Sequence, residues 1–343
     1  MPQPNPVAIA TPTTVISALP RIAAVVPAYR VTRHVLDVLA AMPAMVWRIY
    51  VVDDACPDGS GDLVERECRD PRVVVIRNPR NLGVGGAVLS GYRRAVGDGA
   101  NVIVKIDGDG QMDPGLLPRF VAPIVAGYAD YTKGNRFYDL RHIGRMPGVR
   151  LFGNAVLSFM AKVSTGYWDI FDPTNGYTAI DARVAALLPH DRISQRYFFE
   201  TDLLFRLGTY RAVVLDVPMD ARYADEVSNL RIGSVLGEFL GKHLQNFCKR
   251  IFYNYFLRDL SIASLELVAG LGMLAFGAAY GTWHWWQALA FGTATPIGTV
   301  MLAVLPVLVG LQLTLAFLAY DIAAVPKLPV SVRLGERVTP EVD

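Results

Sequence analysis

Between residue 21 and about residue 230, apolar residues come in short unbroken runs separated by amphipathic stretches. IAAVVPAY (22–29), WRIYVVDD (47–54), RVVVIRNP (72–79) and NVIVKIDGD (101–109) have the length and β-branched content of strands. Runs without polar alternation suit strands covered on both faces. The stretches near 32–42, 60–70 and 84–97 read as helices. The β-α-β-α-β-α-β order predicts an α/β domain on a mostly parallel sheet with right-handed crossovers. Such sheets bind ligands at the carboxyl ends of their strands. Tyr29, Asp53, Asp54, Asp107 and Asp109 fall at those ends.

The pattern changes near residue 231. Over 231–258, Lys242, His243, Lys249, Arg250 and Arg258 interleave with Phe239, Leu240, Phe247, Ile251, Phe252, Tyr255 and Phe256 at helical spacing. Amphipathic helices lying in a membrane interface have this character; so does a soluble helix packed on the preceding domain. Residues 261–280 carry one charge, Glu266, and residues 296–320 carry none. About twenty helical residues span the ~30 Å hydrocarbon core. Two transmembrane helices are predicted, about 261–281 and 296–320, with a short loop between them and Pro306 kinking the second. Segment 281–295 has no Lys or Arg, whereas Lys249, Arg250 and Arg258 precede the hairpin and Lys327, Arg333 and Arg337 follow it. The positive-inside rule places the large domain and both termini in the cytoplasm. Trp283, Trp285 and Trp286 suit the opposite interface. Glu266, near a helix end, could reach headgroups, face a helix partner or serve function. The chain thus divides into a tail (1–20) without a signal-peptide pattern, a catalytic domain (21–230), juxtamembrane amphipathic helices (231–258), the hairpin (259–325) and a cytoplasmic tail (326–343).

Composition agrees with a membrane-attached protein. Of 343 residues, 52% are hydrophobic and only 19% charged, which excludes a disordered chain. A net charge of +2 gives no global field that would attract nucleic acid. Cys56, Cys68 and Cys248 are spaced for neither a metal site nor a disulfide framework. The five histidines are scattered, which disfavours a zinc enzyme.

The strongest chemical signal is IDGDGQMDP, residues 106–114. It follows a strand and sets Asp107 and Asp109 two apart at a turn, where carboxylates can hold a divalent cation against a diphosphate. Asp53 and Asp54 end an earlier strand and should face the same crevice, where Asp53 could accept from a nucleotide base or ribose. NLGVGGAVLSGYRRA (81–95) lacks GxGxxG spacing and does not follow the first strand, so a Rossmann cofactor site is weakly supported. Gly83, Gly85 and Gly86 better suit a tight turn and close helix packing. No GxxxxGK[ST] segment supports a P-loop.

PAYR, VVDDACPDGS, NLGVGGAVLSGYRRA, IDGDGQMDP, KGNRF, DPTNGY and FFETDLL, in this order, resemble family 2 glycosyltransferases of the GT-A fold. With the C-terminal hairpin they resemble the polyprenyl-phosphate glycosyltransferases, a group that includes dolichyl-phosphate mannosyltransferases and undecaprenyl-phosphate glucosyltransferases. The resemblance covers roughly 21–325. It implies that Pro27, Tyr29 and Asp53 line the nucleoside and that Asp107 sits by the ribose or diphosphate. It implies that Asp109, with Asp107 as a second candidate, ligates Mg²⁺ or Mn²⁺, and that Gln111 lies near metal or sugar. Arg136 would lie at the donor–acceptor junction, and Arg150 and Arg222 around phosphates, a contact that guanidinium geometry suits. Asp172, Glu200 and Asp202 would orient sugar hydroxyls or acceptor. The implied reaction is inverting transfer from a UDP- or GDP-linked sugar to undecaprenyl or dolichyl phosphate, catalysed chiefly by alignment and charge stabilisation. The resemblance also implies a homo-oligomer, such as a tetramer. PAYRVTRH departs from the family by lacking the acid that usually follows PAY, which leaves the base open. A processive polysaccharide synthase would need more membrane helices and a QxxRW-like motif. A nucleotidyl- or phosphotransferase would cleave the donor at phosphorus, and a membrane scaffold would not need Asp53, Asp107, Asp109 and Arg136 together.

Overall fold

A computed structural model describes residues 19–138, 148–219 and 232–335. Seven strands form one sheet: β1 (Ile22–Ala28), β2 (Val46–Asp53), β3 (Val73–Arg77), β4 (Val102–Lys105), β5 (Tyr131–Asn135), β6 (Thr178–Asp181) and β7 (Val214–Pro218). Their order is β3-β2-β1-β4-β6-β5-β7. The first four strands lie where the apolar runs predict them, and all are mutually parallel. β6 runs antiparallel to both β4 and β5, and β7 is parallel to β5. The sheet is therefore mixed, and β1, β4, β5 and β7 all end on the same side.

Both faces of the sheet are covered. Ala23, Val25, Tyr50 and Val52 pack with α3 (Val84–Gly97) and with α7 (Phe199–Tyr210) in one core. Ile22, Ala24, Val26, Ile49 and Val51 pack with α1 (Val35–Ala40), α2 (Ser60–Glu67) and α4 (Leu117–Val125) in the other. The period-two alternation of strand side chains sends each set to its own face.

Two further helices flank the domain, α5 (Gly148–Thr165) and, after β6, the short α6 (Ala182–Leu187). α8 (Ile232–Phe252) packs against α5 and α7 and ends in a π-helical turn at Tyr253–Leu257. Its basic residues do not all face outward. His243 is buried with its ring nitrogen 2.8 Å from the Ser164 hydroxyl, and burial lowers its pKa to about 4. Arg250 is buried too. Leu240 and Leu244 of α8, and Phe152, Val156 and Phe159 of α5, stay exposed. The spacing of the α5 residues puts them on one helical face.

α9 (Ile262–Phe291) and α10 (Ile297–Ala323) form the apolar hairpin, and α11 (Val330–Arg333) returns to the domain. α9 continues through Trp283–Trp286, where the sequence suggests a loop, and stops at Gly292 with φ +61°. No proline interrupts 262–291, so apolar character and helical continuity extend together. α10 runs through Pro306. The two helices approach closely at Gly270, Gly277 and Gly310, where an added Cβ would fall 2.7–2.8 Å from the facing helix. Glu266 sits one turn inside α9, half-buried.

Candidate active site

The carboxyl ends of β1, β2, β4 and β5 carry the predicted acids and Arg136. Asp53 ends β2 beside Ala28 of β1. Its carboxylate accepts from the Cys56 N–H at 2.7 Å and the Gly61 N–H at 2.9 Å, with the Arg77 guanidinium 3.6 Å away. Asp53 thus holds the turn into α2. Asp54 accepts from the Asn78 side chain at 2.7 Å and from the Leu82 and Gly83 N–H groups at 2.9 and 2.8 Å. It draws the NPRNLG loop against the strand end, a role the adjacent-acid pattern alone did not reveal. Gly83 has φ +86°, and a Cβ on Gly85 would fall 2.6 Å from Phe199, so these glycines serve a turn and close packing. Pro27 is half-buried at the end of β1, and Tyr29 beyond it is 41% exposed. Arg30, standing where the family has an acid nearby, adopts φ +60° and holds its guanidinium 5.5 Å from the Tyr29 ring centroid.

Asp107 and Asp109 lie half-buried on the turn after β4. Asp107 is paired with Lys105 at 3.0 Å, and Lys105 also meets Glu200 at 3.3 Å. Lys105 is fully buried. Burial alone would lower its pKa, but Asp107 and Glu200 outweigh that and hold it above the ordinary lysine value. The sequence reading passed over Lys105. Its signal was a lone cation two residues before the acidic turn, inside an apolar strand. Asp109 accepts from the Gln111 N–H at 3.0 Å.

Arg136 follows β5 and makes a two-point pair with Asp172, Nε to Oδ2 at 2.8 Å and Nη2 to Oδ1 at 3.0 Å. Its backbone N–H adds a third contact at 3.2 Å, and the Asn175 side chain donates to the same carboxylate at 3.3 Å. Asp172 is 1% exposed while the Arg136 side chain remains 33% exposed. Both carboxylate oxygens of Asp172 are thus engaged, most of all by Arg136. Behind them, buried Lys133 donates to the Asn175 carbonyl. Burial lowers its pKa to about 8, against the pull of Glu200 and Asp172.

Glu200 braces Lys105, and Asp202 turns elsewhere. Asp202 accepts from the Ser194 N–H at 2.8 Å and the Asn246 side chain at 3.2 Å, which ties α8 to the domain. Arg150 lies in the first turn of α5, and Arg222 lies outside the described residues.

No cluster of three His, Cys, Asp or Glu side chains is arranged around a metal position among the described residues. Two half-buried carboxylates, Asp107 and Asp109, still fit a Mg²⁺ or Mn²⁺ ion, which commonly takes one or two carboxylates and completes its shell with substrate phosphates and water. Asp107 is engaged by the Lys105 ion pair.

Gly176 of the DPTNGY segment leaves space beside this cluster. A Cβ there would fall 2.5 Å from Lys105 Nζ and 2.7 Å from Asp107 Oδ2. Gly176→Ala is expected to displace that pair and lower kcat/KM by about 5- to 150-fold, because overpacking costs ~1–3 kcal/mol and 1.36 kcal/mol is a factor of ten. Steady-state kinetics beside circular dichroism checks this; wild-type kcat/KM in a folded variant would refute it.

Residues 24–187 match the profile of Glycosyl transferase family 2. The chain is 30% identical over 192 residues to an undecaprenyl-phosphate mannosyltransferase of Micrococcus luteus, covering 55% of this chain and 78% of that one. It is 25% identical over 215 residues to a UDP-N-acetylglucosamine–dolichyl-phosphate N-acetylglucosaminyltransferase of Methanococcus voltae, covering 59% and 85%. Among solved structures, glucosyl-3-phosphoglycerate synthase from Mycobacterium tuberculosis with Mn²⁺ and UDP-glucose has a TM-score of 0.50 at 18% identity, covering 66% of this chain and 79% of that one. That likeness shows a shared fold. The chain belongs to glycosyl transferase family 2, is a glycosyltransferase of that family, and resembles its polyprenyl-phosphate sugar transferases.

Proposed function

We propose that the protein transfers a sugar from a nucleoside-diphosphate sugar to a polyprenyl phosphate at the cytoplasmic face of a membrane. The observation that carries this reading is an acidic strand-end cluster with a braced arginine, joined to an apolar hairpin. The exposed apolar residues of α5 and α8 add a surface suited to bilayer contact.

The lipid phosphate oxygen attacks the anomeric carbon as the bond from that carbon to the diphosphate oxygen breaks. A single displacement inverts the configuration, so an α-linked donor yields a β-linked lipid phosphosugar. The phosphate is already anionic near neutral pH, which removes the need for a strong base. Asp172 holds the Arg136 guanidinium with part of its surface open, where it can meet phosphate oxygens at the donor–acceptor junction. Lys105 fixes Asp107 at the ribose or diphosphate. Asp53 orders the turn under the nucleoside and keeps lone pairs for a base or ribose donor. Pro27 and Tyr29 supply its wall. A divalent cation held by Asp109 would offset charge on the departing diphosphate. Gln111, anchored on Asp109 through its own N–H, would approach the sugar. Assembly into a homo-oligomer through the hairpin belongs to the same reading.

Purified full-length protein should be given a panel of UDP- and GDP-sugars, Mg²⁺ or Mn²⁺, and polyprenyl phosphates of two chain lengths, with products followed by mass spectrometry. One lipid phosphosugar and the matching nucleoside diphosphate are expected. Nucleotide binding without lipid product from any donor would move the acceptor to another class.

A further inference from the structure

A cavity of about 350 Å³ opens where the hairpin meets the domain, lined in part by Arg211, Arg250, Asn254, Arg258, Asp259 and Asp321. It lies at the opposite end of the sheet from the catalytic crevice. Arg211 precedes the start of β7, and the Tyr167 hydroxyl in its wall donates to the Ala212 carbonyl at 2.6 Å. The catalytic groups follow the strands' other ends. The cavity also lies at one membrane level: its lining spans the residues just before α9 and those at and just past the end of α10.

The charges in this cavity are unequally matched. Arg250 and Asp321 neutralise each other in a buried pair at 2.5 and 3.1 Å. The Tyr255 hydroxyl at 2.6 Å and the Trp168 indole N–H at 2.9 Å also donate to Asp321. Arg211 and Arg258 have no such partner. Arg211 donates to the Ala324 carbonyl at 3.2 Å and Arg258 to the Thr209 carbonyl, and neither pairs with a carboxylate among the described residues. Burial, and then the charge of Arg211, pull the Arg258 guanidinium below its ordinary pKa. Exposed Asp259 is the one other carboxylate in the lining.

Two more features fit a ligand. Arg211 caps α7 with φ +57°, a left-handed conformation usual for glycine and unfavourable for a side chain. The strained position sets its guanidinium at the cavity. Asn254 Oδ1 is buried without a donor among the described residues. A phosphate group presents anionic oxygens to two guanidiniums, and a hydroxyl on it or beside it supplies the missing donor.

We propose that this cavity binds a phosphate group through Arg211 and Arg258, presented by an anionic phospholipid headgroup or free in solution. It is a second anion site, separate from the catalytic crevice, and its lipid form rests on the membrane placement of the hairpin.

The test uses full-length protein, the variant Arg211→Gln/Arg258→Gln and the charge-keeping Arg211→Lys/Arg258→Lys. Native mass spectrometry from nanodiscs compares retained phosphatidylglycerol with phosphatidylcholine, and thermal midpoints in detergent are read against inorganic phosphate. Wild type should prefer phosphatidylglycerol about tenfold, with the preference lost in the glutamine variant and largely kept in the lysine variant. Stabilisation by inorganic phosphate that vanishes in the glutamine variant, without a lipid preference, supports the site with soluble phosphate as its ligand. Equal behaviour of wild type and glutamine variant in both arms, or no response of wild type in either, overturns the proposal. Co-flotation with neutral vesicles tests the membrane placement separately, and the detergent arm decides the site even where flotation fails.

Discussion

Asp109→Ala is expected to lower turnover about 10³-fold or more while leaving the fold intact. Losing a carboxylate that holds a catalytic cation removes several kcal/mol of charge stabilisation, and ~4 kcal/mol corresponds to three powers of ten. Its Oδ1 accepts from Gln111, two residues along the same turn. Asp107→Asn should behave differently. It removes one of two acidic partners of a buried lysine, so stability should fall together with activity. Product formation, cation titration and thermal midpoints, measured on both variants, separate the cases. Wild-type turnover in Asp109→Ala would refute the assignment of the cation to this turn.

Breaking the Arg136–Asp172 pair is expected to have the next largest effect. Arg136→Ala leaves a buried carboxylate with only its N–H donors, and removing one partner of a buried pair costs ~3–5 kcal/mol. The 33% exposure of the Arg136 side chain places this case at or below the lower end. Turnover should fall ~10²–10³-fold, the size of losing one aligned charge-stabilising donor. Arg136→Lys should rescue little, because an ammonium cannot reproduce the two-point contact. Asp172→Asn discriminates between roles. A positioning residue leaves the shape of the pH–rate profile unchanged while kcat falls; loss of the acidic limb would instead make Asp172 the base.

The catalytic half of the chain was legible because its information is local. Strand-length apolar runs, breakers and acidic residues just past them follow from spacing alone, and the strand-end rule turns that order into a crevice. Asp53, Asp54, Asp107 and Asp109 were placed at strand ends in this way, and the structure has them there. The sequence suggested a helix end near 281, whereas α9 continues through the tryptophans to Phe291, since nothing there ends a helix. The apolar face of α5 also went unnoticed. Phe152, Val156 and Phe159 are exposed among the described residues.

By itself the sequence determined the alternation of strands and helices, the acidic turns and the two apolar helices, since period, breakers and charge need only neighbouring residues. Tertiary structure decided what the charged groups do. Arg136 meets Asp172 across 36 residues, Lys105 meets Glu200 across 95, and Arg250 meets Asp321 across 71. It also decided that β6 enters the sheet antiparallel and that Asp202 anchors a helix. Each of these outcomes depends on which distant groups share a buried space, where an unpaired charge is costly and only a partner brought in by the fold can offset it.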